Sequence, residues 1–339
     1  MRYLSLIPLL LPALAVAQPY SAGKITDHFV EVVRLQDAGR KIEVLIAPTI
    51  GNIAYTLSVN GKNAFFLPYP TVPECREKKA LPANVFLAPW SNRLDADAAF
   101  WANGKRYFLN RELDNIRWDR NKKPIHGLLL FSPHWKVTRI QADKKSAEVT
   151  SRLEFWRYPD LMAQFPFAHN LEMAYRLSEG RLEVLTRIEN LANEPMPVGI
   201  GYHPFFRLHD SPHSDWRIHI PVSDQAALKS FSKEGMTVDS ADGDHLVGTV
   251  EVTGLIRDSQ GRARFSFEGK SEKVTVIMGP KYTAAIATSP AASEFVSFEP
   301  LAAISNGFNL AHAGAYKELQ SIAPGGIWQE SFWIEVSGF

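Results

Sequence analysis

The chain has 339 residues, 45% hydrophobic and 22% charged, enough to bury one large core or two smaller ones and too apolar to stay disordered. Its 37 Lys and Arg against 36 Asp and Glu leave a formal charge of +1. That balance gives no basic excess for nucleic-acid phosphates or an anionic membrane surface and makes a neutral small molecule the default ligand. The single Cys75 can form neither an intramolecular disulfide nor a multi-thiolate metal site, and it reads as an ordinary neutral thiol.

The chain begins with Arg2, an apolar stretch from Leu4 to Leu14 interrupted by Pro8 and Pro12, and the small-x-small run Ala15-Val16-Ala17. This pattern predicts a cleaved secretory signal over residues 1–17, too short and Pro-broken for a membrane anchor. Cleavage removes only Arg2, leaving 36 cationic against 36 anionic residues. The expected product is a single domain over 18–339 that is secreted or periplasmic and has no membrane contact.

From there on the recurring signal has period two. Lys41-Ile42-Glu43-Val44, Arg152-Leu153-Glu154-Phe155, Arg181-Leu182-Glu183-Val184, Arg217-Ile218-His219-Ile220 and Trp333-Ile334-Glu335-Val336 alternate polar with apolar residues, as half-buried strands do. Turn signals separate them: Asn60-Gly61, Asn103-Gly104, Glu179-Gly180, Gln260-Gly261 and Pro324-Gly325-Gly326. Only residues 224–234 read as a short helix. Many short strands without an internal repeat predict an all-β chain built as a large antiparallel sandwich, not a propeller.

Four places carry polar groups that the strand pattern does not require. Leu87-Ala88-Pro89-Trp90-Ser91-Asn92-Arg93-Leu94 is a Pro-punctuated loop whose Arg93 is either a surface charge or a fixed guanidinium fork able to donate to two sugar hydroxyls or to a developing oxyanion. In Pro124-Ile125-His126-Gly127-Leu128, Gly127 lets the backbone approach something closely, and His126 reads equally as an ordinary hydrogen-bonded histidine or a site residue. In Gly201-Tyr202-His203-Pro204-Phe205-Phe206-Arg207, His203 stands among aromatic residues, suited to core packing or to proton transfer in a dry pocket. Glu299, in Phe298-Glu299-Pro300, ends an apolar strand, where burial would raise its proton affinity and a solvated edge would not.

In this order the motifs resemble the aldose 1-epimerase family, the galactose mutarotase-like enzymes, from about residue 25 to 336. The matching pieces are Asn92-Arg93 followed by the Gly104 hairpin, Ile125-His126-Gly127, His203-Pro204-Phe205-Phe206-Arg207-Leu208, Phe298-Glu299-Pro300 with Asn309, and Leu319 to Gly326. The resemblance implies a galactose mutarotase-like β-supersandwich of large antiparallel sheets. It also implies an isomerase that interconverts the α and β anomers of a free aldohexose, with Glu299 as general base and His203 as general acid. Arg93, His126 and Asn92 would bind the sugar, with Trp90 and Tyr202 as apolar walls chosen by residue type. The chemistry needs neither metal nor redox cofactor, and a monomer is expected.

One departure stands out. Family members carry a sugar-binding Asp before the Glu strand, whereas this chain reads Gly248-Thr249-Val250-Glu251-Val252-Thr253-Gly254. Glu251 or Asp258 could substitute only if the alignment slips. Asn309 and His312 read as a structural turn or as support behind Glu299. Two other functions fit the motifs less well: a noncatalytic carbohydrate-binding protein has no need of both His203 and Glu299, and a hexose-phosphate 1-epimerase needs an Arg or Lys cluster at its cleft.

Overall fold

The computed structural model describes residues 18–95, 97–222, 238–242, 245–290 and 293–339. The signal expected at 1–17 and the helix expected at 224–234 lie outside the described residues. The five alternating segments fall in strands, and burial alternates residue by residue along Arg181–Asn190 and Ala147–Glu154. The turn signals work as expected: Asn60-Gly61 adopts φ of 51° and 84°, Asn103-Gly104 51° and 72°, and Glu179-Gly180 54° and 80°. Paired positive φ values give the tight hairpin turns that match strand twist.

In chain order the elements begin with β1 (Tyr20–Asp27), β2 (Val30–Asp37), β3 (Ile42–Ala47), β4 (Ile53–Val59), β5 (Lys62–Asn63) and α1 (Val72–Glu77). Next come β6 (Asn84–Leu87), β7 (Ala99–Ala102), β8 (Lys105–Phe108), β9 (Lys136–Ala142), β10 (Ala147–Glu154) and α2 (Pro159–Gln164). They are followed by β11 (His169–Ser178), β12 (Arg181–Asn190), β13 (Met196–Val198), β14 (Gly201–Phe206), β15 (Arg217–His219), β16 (Val238–Asp242) and β17 (His245–Val252). The chain closes with β18 (Ala263–Glu268), β19 (Lys273–Met278), β20 (Ala284–Ser289), β21 (Val296–Leu301), α3 (Gly307–His312), β22 (Gln320–Ile322) and β23 (Ile327–Ser337).

Among the described residues two large antiparallel sheets form. One has eleven strands in the order β1-β2-β3-β4-β6-β14-β21-β20-β17-β16, with β5 beside β4, and the other has eight in the order β15-β18-β19-β23-β12-β11-β10-β9. Their facing surfaces make the main core. Tyr202 of β14 packs on Phe332 of β23 with ring centroids 4.7 Å apart, and Phe298 of β21 packs on Phe265 of β18 at 5.5 Å. Because strand side chains alternate, the residues between these core positions point to the opposite face of the eleven-stranded sheet. On β14 and β21 those residues are Gly201, His203, Phe205, Ser297, Glu299 and Leu301.

The segment from residue 88 to 131 covers that outer face. Gly127 makes its seating possible: at φ +67° an added Cβ would stand 2.0 Å from the Ala88 carbonyl oxygen. That carbonyl accepts the Leu128 N–H at 2.7 Å, and a second bond joins the His126 N–H to Asn92 O at 2.9 Å. Asn309 has a structural role, accepting the Trp101 N–H at 3.1 Å and so tying α3 to the β7–β8 hairpin, while His312 stacks on Trp101 at 3.7 Å. Cys75 is buried in α1, which pushes its thiol above the ordinary range. No helix among the described residues is long and apolar enough to cross a membrane.

Candidate active site

Register alone brings the first two site residues together. Phe205 pairs with Ser297 and Gly201 with Leu301, so His203 stands opposite Glu299 across β14 and β21. The row continues: Glu299 pairs with Ile286 on β20, and Ile286 pairs with Glu251 on β17. Directly opposed residues share a face with Cβ atoms about 4.5–5.5 Å apart. The sheet thus lines up an imidazole, a carboxyl, an isoleucine and a second carboxyl, although 96 residues separate His203 from Glu299.

The pair is in direct contact, with His203 Nε2 3.2 Å from Glu299 Oε1 and side-chain exposures of 13% and 2%. The residues two places along each strand hold the imidazole. Phe205 stacks on it at 4.1 Å with a 15° interplanar angle, and Ser297 Oγ lies 3.0 Å from Nδ1. His126 arrives from the covering segment, edge-on to His203 with ring centroids 5.7 Å apart. Its backbone sits at φ +65°, a strained conformation for a histidine and a common mark of functional loops.

Burial sets the proton affinities. It raises the Glu299 carboxyl well above the ordinary value of 4.5, and the nearby Glu251 charge raises it further. It lowers His203 well below 6.5, helped by His126 and by the Arg117 guanidinium. His126 falls to about 3 from burial and the same guanidinium, so it is a neutral ring. Desolvation disfavours the charged form of each group, and here it drives acid and base toward one another.

Among the described residues, several buried polar atoms around the pair have no hydrogen-bond partner: Glu299 Oε2, His126 Nδ1 and Asn92 Nδ2. Leaving one such group unsatisfied costs about 1–3 kcal/mol, so their concentration in one place points to a ligand bearing several donors and acceptors.

Arg93 and Glu251 border a cleft of about 790 Å³ that also takes in Thr283, Tyr316 and Asn306. Neither His203 nor Glu299 is among its lining residues; Glu251, in the same strand row as Glu299, is. Glu251 accepts the Ser305 N–H at 2.6 Å, and burial keeps it above the ordinary carboxylate range, opposed by that bond and by Arg93. Arg93 Nε lies 3.5 Å from Asp95, and its carbonyl accepts the Asn306 N–H at 2.8 Å.

The structure therefore brings His203, Glu299, His126, Asn92 and Arg93 to one side of one sheet. It corrects two sugar-wall assignments. Tyr202 is one residue from His203 and so points the other way: its ring packs against Phe86 and Phe332 in the core, and its hydroxyl lies 2.6 Å from Thr186 Oγ1. Trp90 is 2% exposed and belongs to the main core. Phe205 supplies the aromatic surface beside the imidazole instead. Of the two residues weighed for the missing Asp, Glu251 shares the face of Glu299, while Asp258 sits in an exposed turn accepting the Gln260 and Arg262 N–H groups. Ser297 and Phe205 are additions, and the spacing Ser297-x-Glu299 and His203-x-Phe205 would have exposed both. No sequence signal marks Arg117.

Two stacked antiparallel sheets, with a buried acid and base on the outer face of the larger, define a galactose mutarotase-like fold. The chain belongs to the aldose 1-epimerase family, whose pattern matches residues 33–335. Among solved structures it is similar to a galactose mutarotase-like protein from Clostridium acetobutylicum, with 19% identity, a TM-score of 0.77 and coverage of 95% of this chain and 99% of that one. A galactose mutarotase-like protein from Lactobacillus casei matches with 14% identity, a TM-score of 0.62 and coverage of 93% and 100%. A galactose mutarotase-related enzyme from Lactobacillus acidophilus matches with 17% identity, a TM-score of 0.59 and coverage of 93% and 97%. Family membership carries a general character, that of a sugar-binding isomerase.

Proposed function

We propose that the protein is an aldose 1-epimerase acting on a free aldohexose, with Glu299 as general base and His203 as general acid. The observation that carries this reading is the 3.2 Å contact between His203 Nε2 and Glu299 Oε1 beside an unpartnered Glu299 Oε2. The two oxygens that exchange protons in anomerisation, the C1 hydroxyl and the ring oxygen, are bonded to the same carbon. An acid and a base that serve both must stand within a few ångströms of each other, as these do.

In the ring-opening step Glu299 takes the proton of the C1 hydroxyl while His203 gives its Nε2 proton to the ring oxygen. The bond from C1 to the ring oxygen breaks, its electron pair stays on that oxygen, and C1 becomes the aldehyde carbon. Rotation about C1–C2 presents the other carbonyl face. On closure the hydroxyl oxygen attacks C1 and returns its proton to His203, and Glu299 protonates the carbonyl oxygen to give the other anomer.

The pair passes between imidazolium with carboxylate and imidazole with carboxylic acid, both of zero net charge. At ordinary values of 6.5 and 4.5 the ionic form is favoured by about 2.7 kcal/mol. Burial raises Glu299 and lowers His203, and both shifts work against the ionic form and toward transfer of the proton. With Nδ1 protonated, Ser297 Oγ at 3.0 Å accepts its hydrogen bond and leaves Nε2 as the nitrogen that exchanges. His126, Asn92 and Arg93 would meet the sugar hydroxyls, with Glu251 taking the part of the family's Asp. Export of the mature chain from residue 18 belongs to the same proposal.

Saturation-transfer NMR between the anomeric protons of glucose and of galactose tests the reading directly. The expected result is enzyme-dependent exchange that Glu299→Gln abolishes while sugar affinity stays within a few-fold. Binding without exchange in the wild type would instead identify a noncatalytic carbohydrate-binding protein.

A further inference from the structure

A second cleft, of about 720 Å³, is bordered by Gly127 and Leu128, directly after His126 in the chain. Arg76, Lys79 and Arg117 all border it, together with the aromatic groups of Trp118 and His134. Arg76 and Lys79 are exposed, whereas Arg117 is only partly so. The Arg117 guanidinium donates to the Lys79 carbonyl oxygen at 2.6 Å, and no carboxylate lies within ion-pair distance of it among the described residues. Asp114 and Asp160 also border the cleft yet pair with none of the three cations.

A partly buried guanidinium anchored by a single neutral acceptor keeps most of its donor fork unused. Such a fork matches the paired oxygens of a carboxylate or phosphate, and two further cations at the same cleft add to the attraction. Burial alone lowers its proton affinity, with no neighbouring anion opposing it. Gly127 borders the cleft, and the adjacent His126 meets His203 edge-on at 5.7 Å, so the covering segment connects the cationic cleft with the candidate active site.

We propose that this cleft is a binding site for an oxyanion, the carboxylate or phosphate group of a small ligand, anchored by Arg117 with Arg76 and Lys79 at its rim. The anion is either a substituent of a sugar that reaches past His126 or a separate small anion. The site is independent of turnover, so its test stands whether or not the epimerase reading holds.

The experiment is isothermal titration of the full mature chain with inorganic phosphate, with D-glucuronate and with D-glucose, at low salt and matched pH. The expected result is saturable millimolar binding of phosphate or glucuronate that Arg117→Gln weakens by about tenfold or more, the scale of a lost charge-assisted pair. Arg76→Gln, at an exposed position that cannot disturb packing, should weaken it by a smaller factor. Glucuronate displaced by saturating glucose would mark the anion as part of a sugar; phosphate binding indifferent to glucose would mark a separate anion. Absence of saturable binding by either anion, or binding unchanged in both variants, would overturn the proposal.

Discussion

Replacing Ser297 by Ala removes the Oγ that lies 3.0 Å from His203 Nδ1 and nothing else that the imidazole touches. Both residues are buried enough that no water readily substitutes, so an Nδ1–H is left without an acceptor. An unsatisfied buried donor costs about 1–3 kcal/mol, more when the group is charged. That cost falls on the imidazolium and on the neutral tautomer that keeps its proton at Nδ1. Taking about 1.5–2 kcal/mol, kcat should fall roughly ten- to thirtyfold. The direction in pH follows. The neutral ring escapes that cost by taking the Nε2–H tautomer, which carries no proton at Nδ1, whereas the imidazolium cannot, so the proton affinity of His203 falls further and the limb of the pH–rate profile that it governs moves to lower pH. Polarimetry across the pH range, with thermal unfolding to confirm an intact fold, measures both. A wild-type rate with unmoved limbs would refute the assignment of Nε2 as the exchanging nitrogen.

Glu251→Gln removes a charge that raises the Glu299 carboxyl; the limb governed by Glu299 should shift to lower pH, and KM should rise several-fold as a sugar contact changes, both read from the same polarimetric assay. Tyr202→Phe should cost about 1–2 kcal/mol of stability through its buried bond to Thr186 while leaving KM unchanged, because the ring faces the core. A raised KM would restore Tyr202 as a sugar contact. Gly127→Ala puts a Cβ 2.0 Å from Ala88 O at φ +67° and should destabilise by about 2 kcal/mol or more in chemical denaturation; an unchanged midpoint would show that the covering segment can move aside.

Much of this was readable before any coordinates. Period-two alternation identifies strands such as Ala147–Glu154 and Arg181–Asn190, which are buried on one face, but not Asn84–Leu87 or Val296–Leu301, which are buried on both; Asn-Gly pairs mark hairpins because the turn needs positive φ twice. The functional residues were readable one at a time, as motifs. Their assembly was not, since the pairing of His203 with Glu299 depends on the register of strands far apart in sequence. The same gap explains the errors. Residue type alone makes Tyr202 a candidate sugar wall, yet it stands one step from His203 along the strand, which turns its side chain to the other face. Glu251 looked misplaced in a linear alignment, but counting across β17, β20 and β21 sets it in the row of Glu299. Arg117 lies in an irregular segment with no periodicity to betray its orientation, so only the fold reveals that it faces both a cleft and two histidines.

The central claim is that His203 and Glu299 together move protons on a free sugar. The most direct measurement is polarimetry on freshly dissolved α-D-glucose and α-D-galactose, with wild type, His203→Asn and Glu299→Gln compared at equal concentration. The account predicts accelerated relaxation to the anomeric equilibrium by the wild type and a loss of at least about a hundredfold in each variant, the scale of a missing general acid or base. Wild-type rates in either variant, or no acceleration of any common aldose by the wild type, would contradict it.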